Sequence, residues 1–240
     1  MKMRGRGRLC VALTLVIYPL LTTVVALAAD KKVSRLQGEY RIYVSGKEIG
    51  VEKYLLATSG DSVMSSSILD FRNPDEASQK VSLETKLEMD GKYVPRSYEL
   101  KSNVNGQKGN IRGSFSPNQA IFEYSGNGAS IRNGLLVGDR YTILDTNIFH
   151  HFIFLSRLFN YDSGEKTQTF EVLIPQEKDT GTLKIRALAK ETIVVQGKKF
   201  SVSHLVVDTG AIRIQLWVDG EHVPRKIAVP DKGIEVLHNN

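Results

Sequence analysis

The chain is poor in cysteine, tryptophan and proline. Among 240 residues Cys10 is the one cysteine and Trp217 the one tryptophan, and prolines number seven. A lone cysteine makes no internal disulfide and no cysteine-based metal site, so the fold must rest on buried apolar surface. Cys10 also stands at the start of the apolar run that ends near Val25 rather than after it, which excludes lipid attachment at a processed N-terminus. Catalytic signatures are missing too. There is no G-x-S-x-G elbow, no phosphate-binding P-loop and no H-E-x-x-H helix.

An excess of one charge sign is absent once the N-terminus is set aside. Lys2, Arg4, Arg6 and Arg8 form a basic segment, an apolar run follows, and Ala26-Leu27-Ala28 offers a small-residue cleavage site. This reads as a secretory signal peptide over residues 1–28. Its removal takes four of the 32 basic residues and leaves 28 against 26 acidic ones, so the formal charge of +6 falls to about +2. The remaining charge does not point to nucleic acid as a partner. The reading predicts a periplasmic or secreted protein with no transmembrane segment after cleavage.

What the chain does have is a stretch that occurs twice. Leu87-Glu88-Met89-Asp90-Gly91-Lys92-Tyr93-Val94-Pro95-Arg96 and Leu216-Trp217-Val218-Asp219-Gly220-Glu221-His222-Val223-Pro224-Arg225 share the pattern L-x-[MV]-D-G-x-x-V-P-R. Asp-Gly between apolar runs predicts a hairpin, in its commonest form a two-residue type I′ turn. That turn sets Leu87 opposite Val94 and Leu216 opposite Val223. It puts Met89 and Val218 on the same face as these pairs, with Tyr93, Pro95, Trp217 and Pro224 on the other. The repeat points to an internal duplication.

Around these hairpins the chain alternates apolar and polar residues, with turn signals about every ten residues from Gly38 to Leu144 and again from Thr167 to Leu237. The predicted fold is all-β and mainly antiparallel, a large curved sheet or incomplete β-barrel. It forms one domain over residues 29–240, made of two similar halves at about 38–144 and 167–238. Between them, at 147–160, Ile148-Phe149-His150-His151-Phe152-Ile153-Phe154-Leu155-Ser156-Arg157-Leu158-Phe159 breaks the alternation and holds four of the nine Phe. Asp145, Thr146 or Asn147 is positioned to cap a helix there. A helix apolar nearly all round is buried or faces lipid, and this one falls short of the ~20 residues a bilayer needs.

The sequence proposes no catalytic residue, metal ligand or cofactor. His150 and His151 diverge by about 100° on a helix, poor geometry for one metal, and read as a polar edge. Two readings of the apolar residues stay open. Either the helix covers an ordinary core, or a sheet left unfilled lines a hydrophobic groove for a lipid or other amphipathic ligand, since ligand sites are concave and mostly apolar. The groove candidates are Phe149, Phe152, Phe154 and Phe159 of the helix with Trp217 and Tyr93 of the hairpins.

The second hairpin, with the opening strand pair at Tyr40–Glu52, resembles the "LWVD…LP" hairpin of periplasmic proteins with the lipoprotein-carrier fold, the LolA and LolB group. It is also similar to exported domains of unknown function, DUF3108 and DUF6134. The resemblance implies an incomplete β-barrel with helices plugging a hydrophobic cavity. The chain departs from the carriers in carrying the hairpin twice and in having one helix where a carrier has several. The expected function is a non-enzymatic envelope protein that binds an amphipathic ligand. The other expectation is a structural or protein-interaction module of the envelope.

Overall fold

The structure, a computed structural model, describes residues 33–239 apart from 74, 75 and 77. The predicted signal peptide lies outside the described residues, as does part of the loop after Asn73. The strands are β1 (Val33–Val44), β2 (Lys47–Ser59), β3 (Ser62–Arg72), β4 (Lys80–Asp90), β5 (Pro95–Val104), β6 (Gln107–Ser116), β7 (Gln119–Gly126), β8 (Ala129–Leu136) and β9 (Tyr141–Ile143). After a short helical segment come β10 (Thr167–Ile174), β11 (Asp179–Val195), β12 (Lys198–Asp208), β13 (Arg213–Val218), β14 (Pro224–Val229) and β15 (Ile234–Asn239). β1 begins at Val33, and its first five residues, 33–37, pair with residues 55–59 of β2.

All 15 strands belong to one sheet, ordered β8-β7-β6-β5-β4-β3-β2-β1-β15-β14-β13-β12-β11-β10-β9. Every pairing is antiparallel except β9 with β10. The last strand, β15, joins the two runs by pairing with both β1 and β14. A sheet of this many strands must curl. The far end comes back over the first run: Tyr124 Oη donates to the Pro175 carbonyl at 2.8 Å, and Tyr141 sits 6.4 Å from Phe115 between ring centroids. No ladder joins β8 to β9, so the sheet is an open coil rather than a closed barrel.

Period-two alternation decides which face goes inside. Tyr40, Tyr54, Leu56, Val63, Leu69, Leu83, Leu87, Met89, Tyr98, Leu100 and Phe122 form the inner face of the first run, and Leu183, Ile185, Leu205, Val207, Leu216, Val218, Ile227 and Val236 that of the second. The helical segment fills the space between them. It starts with a 3-10 turn, Phe149–His151, and continues as α1, Phe152–Leu158, whose Ile153, Phe154 and Leu155 have no exposed surface. Each such side chain contributes on the order of 1.5–3 kcal/mol through burial.

The predicted caps do not cap this helix: its N-cap is Ile148, with no side-chain hydrogen bond. Glu52 of β2 does that work instead. Its Oε2 accepts the backbone N–H groups of Phe149 and His150 at 2.9 and 3.0 Å, so the sheet itself satisfies the orphan donors of the helix start.

The two Asp-Gly stretches are hairpins, but not of the predicted type. In each, the residue after the turn has positive φ, Tyr93 at 61° and His222 at 60°, while neither Gly91 nor Gly220 does. The Tyr93 N–H donates to the Asp90 carbonyl and the Asp90 N–H to Val94. The His222 and Asp219 N–H groups repeat both bonds, to Asp219 and Val223. This is a three-residue loop, a type I turn closed by a left-handed residue. The extra residue shifts the register. Leu87 pairs with Tyr98, not Val94, and the bulge at Met89 sets that residue against Pro95. In the second copy Leu216 pairs with Ile227 and Val218 with Pro224, and the bulge falls at the equivalent place. Pro95 and Pro224 are buried there, not on the outer face.

Candidate functional site

The most connected group of polar side chains lies where the helix meets the inner face. Glu52 Oε1 is 2.6 Å from His150 Nδ1, and His150 Nε2 is 2.8 Å from Ser65 Oγ. Because Glu52 accepts three bonds in all, His150 carries a proton on Nδ1, and its Nε2 shares a second hydrogen bond with the Ser65 hydroxyl. Next to it, Asp145 Oδ1 accepts the N–H groups of Thr146 and Gln176, both at 2.9 Å, and its Oδ2 accepts the Tyr98 hydroxyl. The Asp145 N–H donates to His151 Nδ1 at 3.1 Å, which leaves the His151 proton on Nε2, an atom with no partner among the described residues.

Burial controls how these groups titrate. It pushes the Asp145 carboxyl up to about 6, against the hydrogen bonds from Tyr98, Gln176 and Thr146. It holds His151 well below the usual histidine range, helped by the neighbouring His150. Tyr98 is pushed well above the usual phenol range by burial and by Asp145. His150 and His151 are therefore not a polar edge: both are fully enclosed. The signal was the departure of the chain from strand alternation, which said "buried helix" and should have included its two histidines.

A second arm starts from the same place. Tyr54 stacks on His150, 5.9 Å between centroids, and its hydroxyl lies 2.7 Å from His238 Nε2 on β15. Arg225 Nη1 lies 3.0 Å from His238 Nδ1, and Arg225 Nε donates to Asp219 Oδ2 at 2.5 Å. Gly38 makes room for this crossing. A Cβ there would fall 2.5 Å from His238 Nε2 and 2.6 Å from Tyr54 Oη. The network thus ties β2, the helix, β14, β15 and the second hairpin together.

Carboxylate, imidazole and hydroxyl in series is the order of a nucleophilic triad. All three groups are shut away from solvent. Glu52 and His150 are 0% exposed and Ser65 4%, and the hydroxyl points into the packed helix–sheet contact. The arrangement fastens the helix. The other carboxylate–histidine pair, Glu191 with His204 at 2.9 Å, is on the outer surface with Trp217 and has no nucleophile in its hydrogen bonds.

The predicted ligand residues separate. Phe152, Phe154 and Phe159 are core, and Phe149 packs against it half-buried. Tyr93 joins them by stacking on Phe154 at 5.9 Å, and its hydroxyl accepts from Arg157 at 3.3 Å. Trp217 is on the outer face, away from the helix. It stacks on His204 at 4.5 Å and donates to Glu191 at 2.7 Å, with the Lys226 ammonium over its ring.

A groove exists, but on the outer face of β2–β6. A cavity of about 860 Å³ is lined by the apolar Leu55, Ala57 and Met64 and by charges of both signs, Arg35, Lys86 and Arg112 with Glu88 and Glu99. Met64 is 61% exposed and Ile68, beyond it on the same face, 54%. Leu55 lies opposite Ser66, between Met64 and Ile68, so the three make a diagonal apolar stripe. Lys86 and Arg112 are engaged by Glu84 and Glu99 at 3.8 and 3.3 Å. The sequence did not single out these residues, since Leu55, Met64 and Ile68 each sit beside an apolar residue of the inner face, Leu56, Val63 and Leu69.

These features define the class: an open, coiled all-β protein with a buried helical plug. No protein-family model and no curated protein matches the chain. Among solved structures it is similar to a β-barrel-like protein of the domain of unknown function DUF1849 from Brucella abortus. That match has TM-score 0.58 at 11% identity and covers 88% of this chain and 97% of that one. A DUF1089 family protein from Pseudomonas aeruginosa aligns at TM-score 0.48 and 12% identity over 75% of this chain and 90% of that one. The fold is thus shared with a β-barrel-like protein of unknown function, and no family-model match supports the resemblance to the LolA and LolB group or to DUF3108 and DUF6134.

Proposed function

We propose that this is an exported, non-enzymatic binding protein whose ligand is amphipathic, with an acyl or comparable apolar chain and a polar head. The observation that carries the reading is the outer-face groove. Leu55, Ala57 and Met64 give an apolar lining to a cavity of about 860 Å³ that also carries charges of both signs, Arg35, Lys86 and Arg112 with Glu88 and Glu99. That volume falls within the ~300–1,000 Å³ of small-molecule sites. The filled interior moves the ligand out of the coil: the helix already occupies that space. The basic leader and cleavage site support export, and the sealing of Ser65 supports a binding role over hydrolysis.

A fluorescent fatty acid titrated into the mature protein tests this. Met64→Glu puts a charge in the groove at an exposed position and should weaken binding at least tenfold without changing the thermal transition. Phe154→Ser, in contrast, opens a core cavity and should cost ~3–5 kcal/mol of stability. Retention by Met64→Glu equal to that of the wild type, or no retention by the wild type, would overturn the groove reading.

A further inference from the structure

We propose that the free edge of β8 is where two copies of this chain pair, β8 against β8, antiparallel and centred on Asn133. β8 is bonded to β7 along its whole length, from Gly126 opposite Ala129 to Gln119 opposite Leu136, and it ends the sheet on its other side. Open edges are usually protected by lysine, proline, a bulge or short length. β8 has eight residues, no lysine and no proline, a regular register and one charge, Arg132. Ile131 and Leu136 on it are 58% and 84% exposed. The opposite edge is built differently: β9 has three residues, all buried.

The strand is self-complementary in one register. A two-fold axis perpendicular to the sheet keeps like faces together, so residues of equal parity meet. Centring on Asn133 sets its amide against its own counterpart, where each can donate and accept. Ile131 then faces Leu135 of the second copy, an apolar pair. These two residues lie opposite Tyr124 and Ala120 of β7, so the apolar inner face continues into the second copy. On the outer face Arg132 meets Gly134, which leaves room for it, and Ser130 meets Leu136. Centring on Arg132 would set two guanidinium groups directly opposite each other, which is unfavourable. Centring on Gly134 would set Asn133 against Leu135 and Arg132 against Leu136. An edge of this length buries less than the ~1,200 Å² of a standard stable interface, so the pairing is reversible and grows with concentration.

Gly134 tests both the dimer and its register. It is exposed, its φ is not in the left-handed region, and an added Cβ meets only Gln119 Nε2 at 3.5 Å, so substitution leaves the fold alone. Sedimentation of the mature protein over a concentration series should show a monomer–dimer equilibrium. Gly134→Glu places a carboxylate opposite Arg132 at both symmetric positions and should tighten it about tenfold. Gly134→Lys places a cation there and should loosen it by a similar factor. A wild type that stays monomeric throughout overturns the proposal. So does a dimer on which the Glu and Lys variants act alike.

Discussion

Asp145 ties the stability of the fold to pH. Its carboxyl is raised from 3.8 to about 6 by burial, so the folded chain holds this proton more tightly than the unfolded one. A raised carboxyl contributes stability that is full below its unfolded value and is lost as pH rises through its folded value. His151 acts in the other direction. Its folded value is depressed, so its contribution is present above the usual histidine range and is lost as pH falls. The wild type therefore mixes two opposing slopes between about pH 4 and pH 7. Asp145→Asn isolates one of them. The amide keeps the acceptor for the Thr146 and Gln176 N–H groups and can donate to Tyr98. Relative to wild type, its stability from urea unfolding should rise by about 3 kcal/mol between pH 4 and pH 7. A difference that stays flat with pH would show that Asp145 is ionised in the fold as freely as in the unfolded chain. None of this was legible in the sequence. Asp145 looked like a helix cap because it precedes an apolar run, but capping depends on where the chain turns. Here the turn hands that task to Glu52, 97 residues away from Phe149.

At the scale of elements, the repeated hairpin was legible in its existence and not in its geometry. Asp-Gly announced a turn correctly, yet the glycines are not what the turn requires. What both turns use is the aspartate. Asp90 Oδ1 accepts the N–H groups of Lys92 and Val94 at 2.8 and 3.0 Å, and Asp219 Oδ1 accepts those of Glu221 and Val223 at 2.9 and 3.0 Å. Replacing either with alanine frees two backbone donors and should cost on the order of 1–2 kcal/mol. The copies differ in what else the carboxylate holds. Arg96 reaches across to Asp61, both exposed, whereas Arg225 pairs with Asp219 itself, with side chains 13% and 10% exposed. Asp219→Ala thus also takes the carboxylate away from a largely buried guanidinium that keeps its His238 contact, and should cost roughly 1.5–3 kcal/mol more than Asp90→Ala. Urea midpoints of the two variants check this, and equal midpoints would mean that the network behind the second hairpin adds nothing. The helix was equally legible as a buried element. Its contacts were not, because a run of apolar residues does not say which polar groups across the core will meet His150 and His151.

At the scale of the molecule, alternation along the chain was enough to predict a large curved sheet, because strand period and turn spacing are local properties; whether that sheet closes on itself was not legible. Nor was the order of the strands, since it depends on one distant pairing. β15 fills the gap between β1 and β14, with Tyr40 opposite His238 and Ile42 opposite Val236. It also supplies His238 to Tyr54 and Arg225. The two runs otherwise meet through the helix and the overlap of their ends, so β15 decides whether they fold as one body or two. Ending the chain at Gly233 removes β15 and exposes the ladder groups of β1 and β14 together with the core around Val236. Such a truncation should abolish the cooperative thermal transition seen by circular dichroism, whereas ending at His238 should retain it. Contacts between residues almost 200 positions apart also predict slow refolding, since closure entropy is spent before that strand pair forms. Two separate, retained transitions in the Gly233 truncation would mean that each half holds its own core. The duplication read in the hairpins would then extend to independent stability, and β15 would join domains rather than complete one.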